Sequence, residues 1–316
     1  MGKHYVFGPV ASRRLGISLG VDPIRKHTCT LDCIYCEAGK TEELTCQRQE
    51  FAPLEEVQKE LTEVLNTAPT LDYITFSGAG EPTLYKHLPE LACWIKTNYP
   101  QYKICLLTNG TLLADPEVCK VLEHIDLAMP NFDASNDEEL QIINRPAAGI
   151  TVGSIAEGIR LAAAEYPGKL VLELFVVPGV NDSAASIERF ANYIRSFAGL
   201  AAVQLNTLDR PGVVDWIKPA DSSIMRKFIE AIEPVLPVEA VGRFRWRSAA
   251  LRGKQPPEGV CSELMELLQR RAASVADIAA VLDLPEASAE QYAEELVRAG
   301  VICAEKIGDD MFYSAM

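Results

Sequence analysis

Three thiols fall within the eight residues Cys29-Thr30-Leu31-Asp32-Cys33-Ile34-Tyr35-Cys36, with three residues between the first pair and two between the second. The chain has nine cysteines, and only these three stand at ligand spacing. Thiolates bind soft metals, iron in a cluster or zinc, far better than carboxylates do. Four thiolates close a zinc site or fully ligate a cluster. Three leave one iron of a [4Fe–4S] cube open to a small molecule. A zinc site would need a fourth ligand, and the candidates are His27, very near in sequence, and Cys46, ten residues past Cys36. Structural core cysteines do not normally gather in a loop that also holds Asp32 and Glu37. The cluster reading is the favoured one, with Tyr35 placed to shield the metal and tune it through burial.

Elements on either side must position that loop. Residues 15–22 form a glycine-punctuated β-like run before it. Apolar spacing at Leu54, Val57, Leu61 and Leu65 then predicts a helix over 52–66. Strand-like runs follow at 73–77, 103–107, 126–129, 170–177 and 202–206. Between and after them come helical stretches at 87–98, from Asp115 (with Pro116 in the first turn), at 153–166, 184–197 and 222–235. Six strand–helix units in alternation predict a parallel sheet with helices outside, because parallel strands need crossovers. A Rossmann-like sheet and an incomplete barrel both fit. Polar groups after nearly every strand favour the barrel, a partial (β/α)6 TIM-like one.

Those polar groups are Gly78-Ala79-Gly80-Glu81-Pro82-Thr83, Thr108-Asn109-Gly110 and Pro130-Asn131-Phe132-Asp133. Gly78 and Gly80 would let backbone approach a ligand without a Cβ in the way, with Glu81 able to fix a cation; a tight turn is the plainer alternative. Asn109-Gly110 is likewise often only a turn. Glu173 stands alone in an apolar strand and should point into the barrel, where an ionised carboxylate needs a partner. It is a candidate to act on a ligand or, equally, a buried hydrogen-bonded carboxylate.

Cys-x3-Cys-x-aromatic-Cys in a first loop, followed by six strand–helix units, resembles the radical S-adenosylmethionine (SAM) superfamily. The resemblance spans roughly residues 5–235. It implies that Cys29, Cys33 and Cys36 bind a [4Fe–4S] cluster whose open iron chelates SAM, and that reduction yields a 5′-deoxyadenosyl radical that abstracts hydrogen from a substrate. It also implies cofactor contacts at Gly78, Ala79, Gly80 and Glu81 (methionyl end), at Asn131 (ribose), and at the pairs Thr108-Asn109 and Asn144-Arg145. With Gly8-Pro9-Val10-Ala11-Ser12-Arg13-Arg14-Leu15-Gly16 and Arg145-Pro146, the likeness is closest to a branch of Fe–S oxidoreductases that includes the wyosine-base (4-demethylwyosine) synthases. A flavodoxin or ferredoxin is the implied electron donor.

The 316 residues carry a net charge of −14, which argues against broad binding to nucleic acid. Protein, peptide or small-metabolite substrates are favoured, and tRNA is the runner-up. The start of the chain shows no apolar signal region, and no run is long enough to span a bilayer. Scattered cysteines suit a reducing cytoplasm. Three domains are expected. Residues 1–236 form the barrel and 237–257 a linker or barrel extension carrying Arg243-Phe244-Arg245-Trp246-Arg247. Residues 258–316 form a winged-helix-like module, with helices at 262–271, from Ser274 to Leu282 and at 287–299, and a hairpin about Gly308-Asp309-Asp310. A non-catalytic Fe–S regulator that reads DNA is the reading from another class. Its third helix would set Glu286, Glu290, Glu294 and Glu295 against Arg298 alone, which speaks against DNA.

Overall fold

In the computed structural model of the protein, residues 4–12, 14–24, 27–208, 212–241, 246–248, 264, 268, 272–282, 286–298, 302–307 and 310–315 are described. The chain opens with a hairpin in which β1 (Val6–Ser12) lies antiparallel to β2 (Gly16–Val21). The cysteine loop starts on β3 (Thr28–Cys29), paired in parallel with β4 (Glu43–Leu44). Then come α1 (Leu54–Leu65), β5 (Tyr73–Phe76), α2 (Leu88–Asn98), β6 (Ile104–Thr108), α3 (Pro116–Cys119) and β7 (Leu127–Pro130). Two helices follow, α4 (Asp137–Ile143) and α5 (Val152–Glu165), before β8 (Val171–Val176), α6 (Ala184–Ser196), β9 (Ala202–Thr207) and α7 (Ser222–Ile232). The wall ends with β10 (Val238–Ala240) and β11 (Trp246–Arg247).

The strands form two sheets, ordered β1-β2-β5-β6-β7 and β11-β10-β9-β8. Parallel bridges Ala128↔Leu170 and Asn131↔Glu173 join them, so one wall runs from β1 to β11. Seven of its strands are parallel, β2 and β5 to β10. The wall thus has one more parallel strand than the six that alternation predicts. Val238–Ala240 supplies it by pairing with β9, although three residues are too few to carry a periodic signal.

Alternation along the strands separates two faces. Leu19, Val21, Ile74, Phe76, Ile104, Leu106, Leu172, Leu174, Val203, Leu205 and Val238 pack outward in the main core beneath the helices. Cys105 and Met129 point the other way and pack with Leu15 in a small inner cluster. Both faces being covered explains why β6 reads as an unbroken apolar run, Ile-Cys-Leu-Leu. α1 buries Val57, Leu61 and Leu65, each worth roughly 1.5–3 kcal/mol on removal from water. α3 is capped by the Asp115 carboxylate as its sequence suggests, yet it tightens after one turn into a 3₁₀ segment, Lys120–Glu123.

Beyond the wall, Ala273–Ser274, Ile302–Ile307 and Asp310–Ala315 form a three-stranded antiparallel sheet beside helices Val275–Leu282 and Glu286–Arg298. Ser274 and Asp277 cap the first of these helices reciprocally. Ile278, Ala289, Ala293, Ile302 and Tyr313 make its own small core, with Leu264 and Leu268. The rest of the helix expected at 262–271, the turn at Gly308-Asp309, and Arg243 to Arg245 with Arg252 and Lys254 lie outside the described residues. No described helix is long and apolar enough to cross a membrane.

Candidate active site

The cysteine loop is tied down from several directions. Asp32 N–H donates to the Asn144 carbonyl (2.8 Å) and Ile34 N–H to the Ile143 carbonyl (2.9 Å), so the end of α4 runs alongside it. Val213 N–H donates to the Ile34 carbonyl (2.9 Å). The Ile34 side chain is fully buried with Ile143, Phe175, Val177 and Ile217, an apolar cushion behind the loop. On the other flank, Glu81 N–H donates to the Thr28 carbonyl (3.2 Å). At Gly80 a Cβ would stand 2.2 Å from that same carbonyl oxygen, so only glycine allows the approach.

Each of the three thiols is partly exposed; Cys36 acts electrostatically on Cys29, and Cys29 and Cys36 both act on Cys33. Burial pushes the Cys29 thiol up to about 12, with the Glu81 carboxylate adding to the effect. Cys33 is raised well above the ordinary thiol range by burial and then by Asp133, and Cys36 is raised chiefly by burial. A site that disfavours bare thiolates this strongly needs compensating positive charge before they ionise. A bound metal would supply such charge.

Two side-chain amides reach the sulfurs. Asn109 Nδ2 lies 3.4 Å from Cys29 Sγ and donates to Thr30 Oγ1 (2.8 Å). Asn144 Nδ2 lies 3.3 Å from Cys33 Sγ and donates to Asp133 Oδ2 (2.9 Å). Asn144 Oδ1 is buried without a partner among the described residues, and Asn144 lines a cavity of about 10 Å³ with Asn109, Asn131 and Asp133. A buried, unpaired acceptor beside three thiols is what a site built around a further polar group looks like.

Of the glycine-rich stretch, only Gly78 is well exposed, and Ala79 N–H is held by the Asp22 carboxylate (2.8 Å). Glu81 does something other than the cation binding considered from sequence. Its Oε1 accepts from Thr83 N–H (3.0 Å), Thr83 Oγ1 (2.7 Å) and Thr108 Oγ1 (2.6 Å), and its Oε2 from Asn109 N–H (2.7 Å). The carboxylate is a clamp between the glycine-rich loop and the end of β6. Asn109 is held in turn through Oδ1, which accepts from Thr111 N–H and Thr111 Oγ1.

Past β7, Asn131 is partly exposed on the cavity wall and its amide approaches Asp133 Oδ1 (3.4 Å). Asp133, which the sequence did not single out as a site residue, is a second buried, multiply bonded carboxylate of the site. It accepts from the Tyr35 hydroxyl, from Asn144, and from Phe175 N–H (2.9 Å). The Tyr35 ring stacks on Phe175, with centroids 3.9 Å apart and planes 9° apart. Arg145 sits at the rim in the left-handed region (φ 44°), 3.7 Å from Asp32. Glu173 is buried on the inner face of β8, paired with Arg14 and accepting from Asn206 Nδ2 (3.0 Å). The structure therefore gathers Gly78 to Glu81, Asn109 and Arg145 about the cysteine loop, gives Asn131 a place beside Asp133, and commits Glu173 to an ion pair.

Comparison with known proteins speaks to the family and the fold. The model of the radical SAM superfamily matches residues 24–191. A UPF0026 protein of Helicobacter pylori is 33% identical over 315 residues, 98% of this chain and 97% of that one. A protein of Brachyspira hyodysenteriae named GTPase Obg is 30% identical over 312 residues, 98% of this chain but 45% of the longer one. Among solved structures, a radical SAM methyltransferase from Sphaerobacter thermophilus superposes with a TM-score of 0.53 at 19% identity, covering 71% of this chain and 66% of that one. At that identity the likeness speaks for the fold, the partial α/β barrel. The chain belongs to the radical SAM superfamily, whose members use a [4Fe–4S] cluster and S-adenosylmethionine.

Proposed function

We propose that Cys29, Cys33 and Cys36 bind three irons of the cluster, that SAM occupies the fourth, and that the chain takes a hydrogen atom from a protein, peptide or small metabolite. Together the bound cofactors supply one-electron cleavage of SAM to methionine and a 5′-deoxyadenosyl radical. The observation that carries the reading is the donor set, three thiols of one loop with amide N–H groups aimed at two of them. Among the described residues, no three His, Cys, Asp or Glu side chains converge on a point fit for a single metal ion. Cys29, Cys33 and Cys36 would hold the cluster, and thiolates suit iron in a cluster.

The remaining work falls to the chain. Gly78 to Gly80 offer backbone to the methionyl end, while Glu81 keeps that loop and Asn109 in register. Asn131 is the candidate for the ribose. The stacked Tyr35–Phe175 pair and the apolar cushion about Ile34 keep water from the back of the loop. Arg145 serves at the rim, where its guanidinium faces Asp32. A flavodoxin or ferredoxin is the proposed electron donor and the cytoplasm the proposed compartment, in keeping with the described cysteines all being free thiols. The C-terminal helices and three-stranded sheet are read as a winged-helix-like module for docking protein. Its second helix exposes Glu286, Glu290 and Glu294, which suits protein better than DNA.

Anaerobically loaded, dithionite-reduced protein should form 5′-deoxyadenosine from SAM, and Cys33→Ala should lose both cluster and product. A variant that keeps either one, or a fully loaded wild type that forms no product, contradicts the proposal. The substrate is then the molecule whose deuterium appears in 5′-deoxyadenosine. Label arriving from tRNA would replace the protein, peptide or metabolite reading with the tRNA one.

A further inference from the structure

Cys29 and Cys33 each meet the side-chain amide of an asparagine from a distant part of the chain, at 3.4 and 3.3 Å between nitrogen and sulfur. Both distances suit an N–H···S hydrogen bond. The orientation of an amide is ambiguous on its own, but here the other partners fix it. Asn109 Oδ1 accepts two hydrogen bonds from Thr111, which turns Nδ2 toward Cys29. Asn144 Nδ2 faces the Asp133 carboxylate at 2.9 Å. Turning this amide round would set its carbonyl oxygen against that carboxylate. The fold instead accepts a buried, unpaired Asn144 Oδ1 in order to keep the N–H side toward Asp133 and Cys33.

From this geometry we infer that Asn144, and to a smaller degree Asn109, tune the reduction potential of the cluster, raising it by donating to the sulfurs of Cys33 and Cys29. The inference rests on the ligand assignment proposed above. A donor to a ligand sulfur stabilises negative charge there, and the reduced cluster carries one more electron than the oxidised one. Donors therefore favour reduction. The three sulfurs are not supplied equally. Cys36 faces backbone N–H groups of Ala38 and Gly39, and Cys29 faces that of Leu31 as well as Asn109. At Cys33 the donor is the side chain of Asn144, opposed by the nearby Asp133 carboxylate. Loss of Asn144 should accordingly matter more than loss of Asn109.

The test is a redox titration of loaded holoprotein without SAM, following the paramagnetic signal of the reduced cluster in wild type, Asn144→Ala and Asn109→Ala at matched iron content. We expect Asn144→Ala to be reduced about tenfold less readily, a negative shift of about 59 mV for one electron, and Asn109→Ala to shift the same way by less. An Asn144→Ala midpoint equal to that of wild type overturns the inference, as does a shift to more positive potential. Should Asn144→Ala fail to retain iron, wild-type protein labelled with 15N-asparagine decides. Nitrogen coupling from side-chain amides to the reduced cluster supports the inference and its absence overturns it. Wild-type protein that takes up no cluster sinks the ligand assignment and this inference with it. A full cluster with an unshifted potential sinks only the inference.

Discussion

Asp133 joins three separate pieces of the site: the hydroxyl of Tyr35 in the cysteine loop, the amide of Asn144 after α4, and the backbone of β8 at Phe175. Burial nevertheless outweighs these donors and pushes its carboxyl up to about 6, with Glu173 adding to the rise. Protonation of a carboxyl with a raised folded-state pKa is easier in the folded chain than in the unfolded one. Between the ordinary value of 3.8 and about 6 the folded protein holds more protons, so stability falls as pH rises through that window. At about 1.4 kcal/mol per pKa unit, the loss amounts to roughly 3 kcal/mol. Denaturant melts of metal-free protein at pH 4 to 7 should show a shallower decline in Asp133→Asn than in wild type; parallel curves would contradict this origin. The cysteines and Asn109 were legible in sequence because spacing or a strand end marks them. Roles such as that of Asn144 toward Cys33, 111 residues away, or Arg14 toward Glu173, 159 away, exist only after folding. Glu81 was found for its place, but its work as a clamp depends on Thr108 and Asn109, which no local pattern ties to it.

At the scale of elements, the glycine-rich turn after β5 is where fold and site depend on each other most closely. An added Cβ at Gly80 would meet the Thr28 carbonyl oxygen at 2.2 Å and Ile24 Cγ2 at 2.5 Å. The oxygen belongs to backbone that leads straight into Cys29, so relief must come by moving the ligand loop. Gly80→Ala should destabilise the protein by about 1–3 kcal/mol, the usual effect of overpacking, and should lower retained iron. Unchanged melting temperature and iron content would mean that the approach is looser than described. Helices with a clear apolar face, such as α1, were legible from periodicity. α4 was missed, being seven residues long, yet it carried a signal. Asn136 caps it through Glu139 N–H while Glu139 answers with a bond to the Asn136 side chain, and Asn-x-x-Glu is the sequence mark of such a start. That helix matters because its C-terminal end delivers Asn144 to the cysteine loop.

For the whole molecule, alternating strands and helices indicated a parallel sheet with helices outside, and polar groups after nearly every strand favoured the partial barrel over an open sheet. They did not reveal β10, nor the inner-face pairing of Glu173 with Arg14 that ties the first hairpin to β8. The net charge of −14 bears on partners more than on fold. Filter binding to bulk tRNA should accordingly be weak and vanish at physiological salt, whereas tight binding that persists there would favour the tRNA reading. The central claim is that three thiols leave one iron for SAM, and its most direct test is double-resonance spectroscopy of the reduced holoprotein with SAM labelled in its amino nitrogen and carboxylate oxygens. The account predicts hyperfine coupling from both labels to the cluster, lost in Cys33→Ala. A fully loaded wild-type cluster that couples to neither label would contradict it.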